Sequence, residues 1–464
     1  MQPVVPSGIV GDNNSLTNSR YGCRGTHPRS AMRLTRQVLV NISALLLFAF
    51  VGSGVGRGYS VLTHEEMIDL LWKDQLRPLL LKCFPRSSED DLNQAHAYAY
   101  GGSLVQDMGY YPFGSKYFSD LVHYVRTGDF VLALLHDSCD LDEYAFALGA
   151  LAHYAADNSG HPTINHVVAI TFPKLRKKYG DEVTYADNPK AHIRTEFGFD
   201  MVQVAKNRYT SDRYHDFIGF NVCKPLLERA FLQTYGLQLK DVIPNEDMAI
   251  GTFRRSISKI IPEMTRVALL SRRKEIVRDT PNFNEKEFLY HLSRAKYQKE
   301  WGNGYRQPGV GARILAFFLK IVPKVGPFKA LAFKIPTTQT EDMYIKSINK
   351  SVDDYGTRLR EERGGQLAIA DMDFDTGRDT RAGEYALADK TYAHLLDELA
   401  KRNFDQTPPD LRRNILNFYA DLNAPIATKK DAKAWRTAQE ELDKLKASNA
   451  DYSVDTASTL AAGP

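Results

Sequence analysis

The chain has 464 residues, 43% of them hydrophobic and 25% charged. That composition excludes a disordered or collagen-like chain, and the length predicts about two to three domains. Sixty Lys and Arg stand against 56 Asp and Glu, leaving +4, so no global basic field argues for nucleic acid. Four Cys in a chain of this length exclude a disulfide framework.

Residues 1–31 are polar and rich in Asn, Ser, Gly and Arg. They read as an upstream extension, expected to be disordered, ahead of a start at Met32. From Met32 a basic stretch carrying Arg33 and Arg36 leads into the apolar run Val38 to Val51, and small residues fill 52–58. This order is that of a secretory signal peptide over 32–58, with Gly56 and Gly58 at the −3 and −1 positions of a cut before Tyr59. A retained anchor is the alternative, but the run is about 14 residues where a spanning helix needs roughly 20. The expected location is periplasmic or secreted. An exported chain starting at Tyr59 keeps Cys83, Cys139 and Cys223. They could form one disulfide plus a free thiol, or serve as three buried small hydrophobes.

Apolar residues at spacings of three and four predict helices over 64–83, 89–100, 115–126, 141–157, 192–206, 222–235 and 249–279. No series of alternating β-branched runs separated by turns is present, so the fold class is all-α. A boundary is expected near Pro281, dividing a domain at 59–280 from a second helical region at 281–447. That region begins with a helix at 285–300 and a Gly-rich loop at 301–311. Residues 312–335 follow, apolar with Lys320, Lys324, Lys329 and Lys334, and Pro323 and Pro327 divide them into two short helices. These could lie flat on a membrane surface or pack as a buried hairpin with the lysines snorkelling outward. Further helices are expected at 341–363, 382–402, 409–422 and 429–447, and then a loose polar tail at 448–464. Within this region Asp371, Asp373, Asp375 and Gly377 resemble a calcium loop faintly. An EF-hand wants Gly one position earlier and Glu where Ala382 stands, so the segment reads as a solvated turn.

The segment that carries chemistry is His153-Tyr-Ala-Ala-Asp157-Asn-Ser-Gly-His161. Each four-residue step turns a helix by about 400°, so the three side chains share one face. His153 and His161 are about 12 Å apart along the axis, too far for one ion to take both easily. The spacing therefore points to two or more metals with Asp157 between them. His192 and Glu196 form a second i, i+4 pair, and imidazole with carboxylate suits zinc. Single pairs of this kind are commonly surface pairs; two in succession are not ordinary. His96, His136, His215, His291 and His394 lack ligand partners at helical spacing and read as structural.

With His64, Asp107 and His123 added, the chain resembles the zinc-dependent phospholipase C and single-strand-specific nuclease superfamily, over roughly 59–277. The resemblance implies an all-helical bundle around three zinc ions, followed here by the second helical region. It also implies the ordered ligand set Tyr59, His64, Asp107, His123, His153, Asp157, His161, His192 and Glu196, with the mature N-terminal residue binding through its own amine and carbonyl. Asp107, His123, His153 and Asp157 would hold one zinc. His161, His192 and Glu196 would hold a second, and Tyr59, His64 and Asp157 a third. Asp107 is the implied candidate for activating water. Two departures stand out. The usual first residue is Trp, where this chain has Tyr59. The step from Asp157 to His161 is short, which makes His166 a rival ligand; His161 is favoured because it keeps the face of His153 and Asp157.

The implied reaction is phosphodiester hydrolysis, most readily a phospholipase C cleaving the glycerol–phosphate bond of phospholipids, because similar phospholipases carry Glu at the last ligand and the nucleases Asp. A zinc nuclease is the alternative, for which Tyr110, Tyr111, Phe113 and Tyr117 could stack bases. A non-catalytic, zinc-stabilised binding protein is the third reading. Serine-hydrolase, P-loop and HExxH signatures are absent.

Overall fold

The long apolar pattern from Leu141 onward sets the centre of the molecule. The computed structural model describes residues 60–206, 208–209, 218–262, 264–265, 268 and 333–448. The leader, Tyr59, the boundary near Pro281, the helix expected at 285–300, the apolar stretch 312–332 and the tail beyond Ser448 lie outside the described residues.

Helix α1 (Val61–Leu71) passes through a π-helical turn into α2 (Arg77–Cys83). Next come α3 (Glu89–Ser103), a 3-10 turn (Val105–Tyr110), α4 (Lys116–Tyr124) and α5 (Thr127–His136). Helix α6 (Leu141–Thr171) is followed by α7 (Pro173–Tyr179), α8 (Pro189–Ala205), α9 (Lys224–Tyr235), α10 (Leu239–Val242) and α11 (Glu246–Arg255). Beyond the undescribed segment stand α12 (Thr338–Arg363), α13 (Ala386–Ala400), α14 (Pro409–Phe418) and α15 (Ala432–Ala447). The fold is all-α. Among the described residues the only sheet is an antiparallel ladder of β1 (Met372–Asp373) and β2 (Arg378–Asp379), ahead of α13.

Two departures from the periodicity have physical causes. Helix α5 escapes a search for an amphipathic stripe because it is buried on most of its circumference, from Thr127 through Leu135. Helix α6 runs on to Thr171 although Pro162 sits inside it. Proline removes one backbone hydrogen bond, and a helix buried along most of its length absorbs that loss.

Helix α6 is buried almost throughout from Glu143 to Asp157, with α3 along one side and α12 along another. Close approach to α3 depends on glycine: a Cβ on Gly149 would lie 2.1 Å from the Ala99 carbonyl oxygen. On the other side the Tyr355 hydroxyl donates to the Leu148 carbonyl at 2.9 Å. The principal core cluster combines Leu148, Leu151 and Phe118 with Tyr344, Tyr355, Leu395 and Leu442. The described residues on either side of 281 thus share one core.

Candidate metal centre

Capping fixes the axial position of the site helices. Asp140 caps α6 by accepting the Glu143 N–H at 2.8 Å. Helix α8 starts at Pro189, with the Asn188 side chain accepting from the Ala191 N–H at 3.0 Å. Between α3 and α4, the Ser119 hydroxyl donates to the Gln106 carbonyl at 2.6 Å and accepts the Gly109 N–H at 3.0 Å. Gln106 in turn donates to the Ala150 carbonyl at 3.1 Å. The short turn bearing Asp107 is thereby tied to the helices that bear His123 and His153.

Around Asp157 four imidazoles converge. Its carboxylate oxygens lie 3.1 Å from His153 Nε2, 3.5 Å from His64 Nε2, 3.5 Å from His161 Nε2 and 3.6 Å from His123 Nε2. Asp107 Oδ1 is 3.5 Å from His123 Nε2. The ligand atoms of His64, His153 and Asp157 lie within 4.8 Å of one another, as do those of Asp107, His123 and His153. His192 Nδ1 faces Glu196 Oε1 at 3.3 Å, one turn apart on α8. Neither belongs to the two three-residue groups found among the described residues, yet both feel the charges of that cluster. Tyr59 lies outside the described residues. All eight described candidates are buried, none more than 3% exposed.

The ring orientations fit metal ligation. His153 Nδ1–H donates to the Ser103 carbonyl at 2.9 Å and His123 Nδ1–H to the Ser119 carbonyl at 2.8 Å. Both Nε2 lone pairs are left aimed at the cluster, the tautomer a ligating histidine needs. His192 is reversed: its Nε2–H donates to the Val183 carbonyl at 2.6 Å, leaving Nδ1 toward Glu196. Asp107 Oδ1, His123 Nε2, His153 Nε2, both Asp157 oxygens and His161 Nε2 are buried without a hydrogen bond of good geometry. Buried polar atoms are rarely left so, and a cluster of such atoms on ligand-type residues is what a cation satisfies.

Electrostatics point the same way. Burial, then the His153 neighbour, pushes His64 down to about 4, and burial likewise lowers His192 to about 4. Burial opposes charge on His153 too, but Asp157 outweighs it and raises that imidazole to about 9. Burial pushes Asp157 up, yet His153 and His161 hold it well below the usual carboxylate range. Burial and the carboxylates of Asp157, Asp107 and Asp375 drive Glu196 upward. Carboxylates crowded away from water call for positive charge among them.

His166 lies outside the cluster. Its Nδ1–H donates to the Asp181 carbonyl at 2.9 Å, its Nε2 is 3.5 Å from Glu182, and its side chain is 44% exposed. The geometry thus favours His161 over its rival. Among the aromatics, Tyr110 and Tyr111 are buried and Tyr117 stacks on His394 with centroids 3.8 Å apart. Phe113 is exposed. Buried His96 pairs with Asp69 at 3.0 Å and stacks on Trp72 at 3.8 Å, as a structural residue does. Cys83, Cys139 and Cys223 form no disulfide; only Cys223 is buried.

The acidic segment after α12 is not the solvated turn its composition suggests. Asp373 and Asp375 are buried. Its three carboxylates also form no metal-holding group among the described residues. Asp371 caps α5, accepting the Gly128 and Asp129 N–H groups at 3.0 and 3.1 Å, and Asp373 accepts the Thr376 N–H at 2.9 Å. Asp375 Oδ1 lies 3.1 Å from His161 Nδ1. Sequence spacing could not find this contact, because the two residues belong to different elements far apart in the chain. Asp200 was also missed. It accepts the Leu62 N–H at 3.1 Å and the Thr63 hydroxyl at 2.7 Å, anchoring the start of α1 beside His64. Here a signal existed: His192, Glu196 and Asp200 continue one i, i+4 series.

Residues 63–245 match the family model described as zinc dependent phospholipase C. No curated protein and no solved structure matches the chain. The matched stretch holds every described candidate from His64 to Glu196, in order, and over it the chain is similar to the zinc-dependent phospholipase C family.

Proposed function

We propose that the protein is an exported phospholipase C that hydrolyses the glycerol–phosphate bond of phospholipids at a three-zinc centre. The observation that carries this reading is the buried convergence of His64, His123, His153 and His161 on Asp157, inside the stretch that matches the family.

Asp107, His123, His153 and Asp157 would hold one zinc. His161, His192 and Glu196 would hold the second, and Asp157, His64 and the N-terminal Tyr59 the third. When bound, zinc supplies positive charge to phosphoryl oxygens and acidifies water toward a pKa of about 7. The carbonyls of Ser103, Ser119 and Val183 hold three imidazoles in their ligating orientation. Asp107 presents Oδ1 toward the cluster without a hydrogen-bond partner, the placement of a group that takes a proton from water.

Metal analysis of exported protein, coupled to assays on phosphatidylcholine vesicles and single-stranded DNA, tests the reading. Zinc with release of phosphorylated headgroup is expected. Hydrolysis of DNA alone would replace it with the nuclease, and bound zinc without turnover with the binding protein. N-terminal sequencing should return Tyr59; fully active chains that begin well upstream would overturn that ligand. Membrane docking through 312–335 is part of the proposal. Phe317→Ser with Phe328→Ser, in protein shown to be folded, should weaken co-sedimentation with anionic vesicles. Unchanged binding would discard the docking role.

A further inference from the structure

The stretch that matches the family model ends at residue 245. The buried cluster does not. Between α12 and α13 the chain returns to α6 and places Phe374 and Asp375 against the candidate ligands. The Phe374 N–H donates to the His123 carbonyl at 3.1 Å. Its ring stands edge-on to those of His123 and Tyr154, with centroids 5.4 and 5.5 Å away. Asn165, one turn beyond His161 on α6, donates through Nδ2 to the Asp375 carbonyl at 2.9 Å. The turn needs glycine at Gly377, where φ is +64° and a Cβ would lie 2.5 Å from the Asn158 carbonyl oxygen and 2.7 Å from Pro162 Cγ. Asn158 is the residue whose carbonyl Pro162 cannot satisfy, so the loop closes onto the point where α6 has lost a backbone bond.

The Asp375 carboxylate is itself held. Its Oδ2 accepts hydroxyl hydrogens from Tyr124, at 2.7 Å, and from Tyr385. Its Oδ1 lies 3.1 Å from His161 Nδ1 in ion-pair contact, while His161 Nε2 faces Asp157. His123, His153 and His192 each give their remote nitrogen to a backbone carbonyl. Asp375 stands in the same place for His161, with a carboxylate oxygen where the others have a backbone carbonyl.

We propose that Asp375 is a positioning residue of the metal centre. It takes the Nδ1–H of His161, fixes the tautomer that presents Nε2 to zinc, and raises the basicity of that ligand, so that the chain beyond the family domain completes the site. The inference rests on the zinc reading above. A carboxylate behind a ligating imidazole acts in this way, and losing such a partner costs roughly 10- to 100-fold in metal affinity.

The test compares wild type, Asp375→Asn, Asp375→Glu and His161→Ala, all in the full exported chain. Zinc retained against a graded chelator and the visible spectrum of the cobalt-substituted protein are the readouts, with circular dichroism as the folding control. Asp375→Asn is expected to lose zinc affinity by roughly 10- to 100-fold with a changed cobalt spectrum, and Asp375→Glu to recover part of both. In a His161→Ala background, Asp375→Asn should have no further effect. Wild-type affinity and spectrum in folded Asp375→Asn, or an equal loss in the His161→Ala background, would overturn the role. If Asp375→Asn does not fold, the measurement passes to Tyr385→Phe, which loosens the carboxylate. Several-fold weaker zinc supports the proposal there, and unchanged zinc and spectrum overturn it. A wild-type chain that binds no zinc would instead remove the reading on which the proposal stands.

Discussion

A histidine that serves a metal commits one nitrogen to the protein and the other to the ion. His123, His153 and His192 each commit one nitrogen to a backbone carbonyl, as the proposed centre requires, whereas the Nδ1 of exposed His166 bonds the Asp181 carbonyl. Replacing His153 with Ala should therefore lower bound zinc by about one ion per chain and abolish turnover, whereas His166→Ala should leave both near wild type. Metal content and hydrolysis measured on both variants check this, and the reverse pattern would move the site to His166. The candidates His153, Asp157, His161, His192 and Glu196 were legible because helical spacing predicts a shared face before any fold is known, whereas His64, Asp107 and His123 entered through the family resemblance. Asp375 was not, because its contact with His161 is made by chain return and not by local period. The cysteines give a separate check. Burial raises the Cys223 thiol to about 11, whereas Cys83 and Cys139 are exposed. An alkylating reagent on native protein near pH 8 should modify Cys83 and Cys139 and spare Cys223, read by peptide mass spectrometry.

Helices carry these residues into place by their ends as much as by their faces. Helix α1 starts at Ser60 with no side-chain cap of its own, and Asp200 of α8 supplies the acceptor for the Leu62 N–H and the Thr63 hydroxyl. Tyr344 of α12 closes the same knot through its hydroxyl on Thr63 and its ring stacked on Phe199, with centroids 4.0 Å apart. Removing the carboxylate leaves a buried N–H without its acceptor, a loss of about 1–3 kcal/mol. Asp200→Ala is therefore expected to lower the unfolding free energy by that much, read as a lower denaturation midpoint, and to weaken zinc by releasing the helix that bears His64. An unchanged midpoint and unchanged zinc would show that α1 is held by its other contacts. Periodicity located most of the one-sided helices and passed over the short exposed α7. It left α5 unassigned and cut α6 short, because wholly buried helices lose the polar face that marks a period and because Pro162 reads as a stop in any sequence-only pass.

At the scale of the molecule, the sequence divides near Pro281, but the described residues beyond that point are not an appendage to the site. Tyr355 donates to the Leu148 carbonyl on α6, Tyr344 and Phe199 stack, and Phe374 and Asp375 reach His123 and His161. No single-sequence pattern announces such a shared core, since each half on its own shows apolar faces enough to suggest separate domains. A chain ended at residue 280 would expose the side of α6 that α12 covers. It would lose Tyr344, Tyr355 and Phe374, each wholly or almost wholly buried, at about 3–5 kcal/mol for each large aromatic deleted from a core. Three such losses approach or exceed the 5–15 kcal/mol by which a typical protein is stable. The 59–280 fragment should accordingly be insoluble or unfold without a cooperative transition, and retain little zinc against a chelator. Thermal melts followed by circular dichroism, with zinc measured on the same samples, decide the matter. A fragment that melts cooperatively and keeps its full zinc would show that the family stretch is a self-sufficient domain, with the remainder of the chain only resting on it.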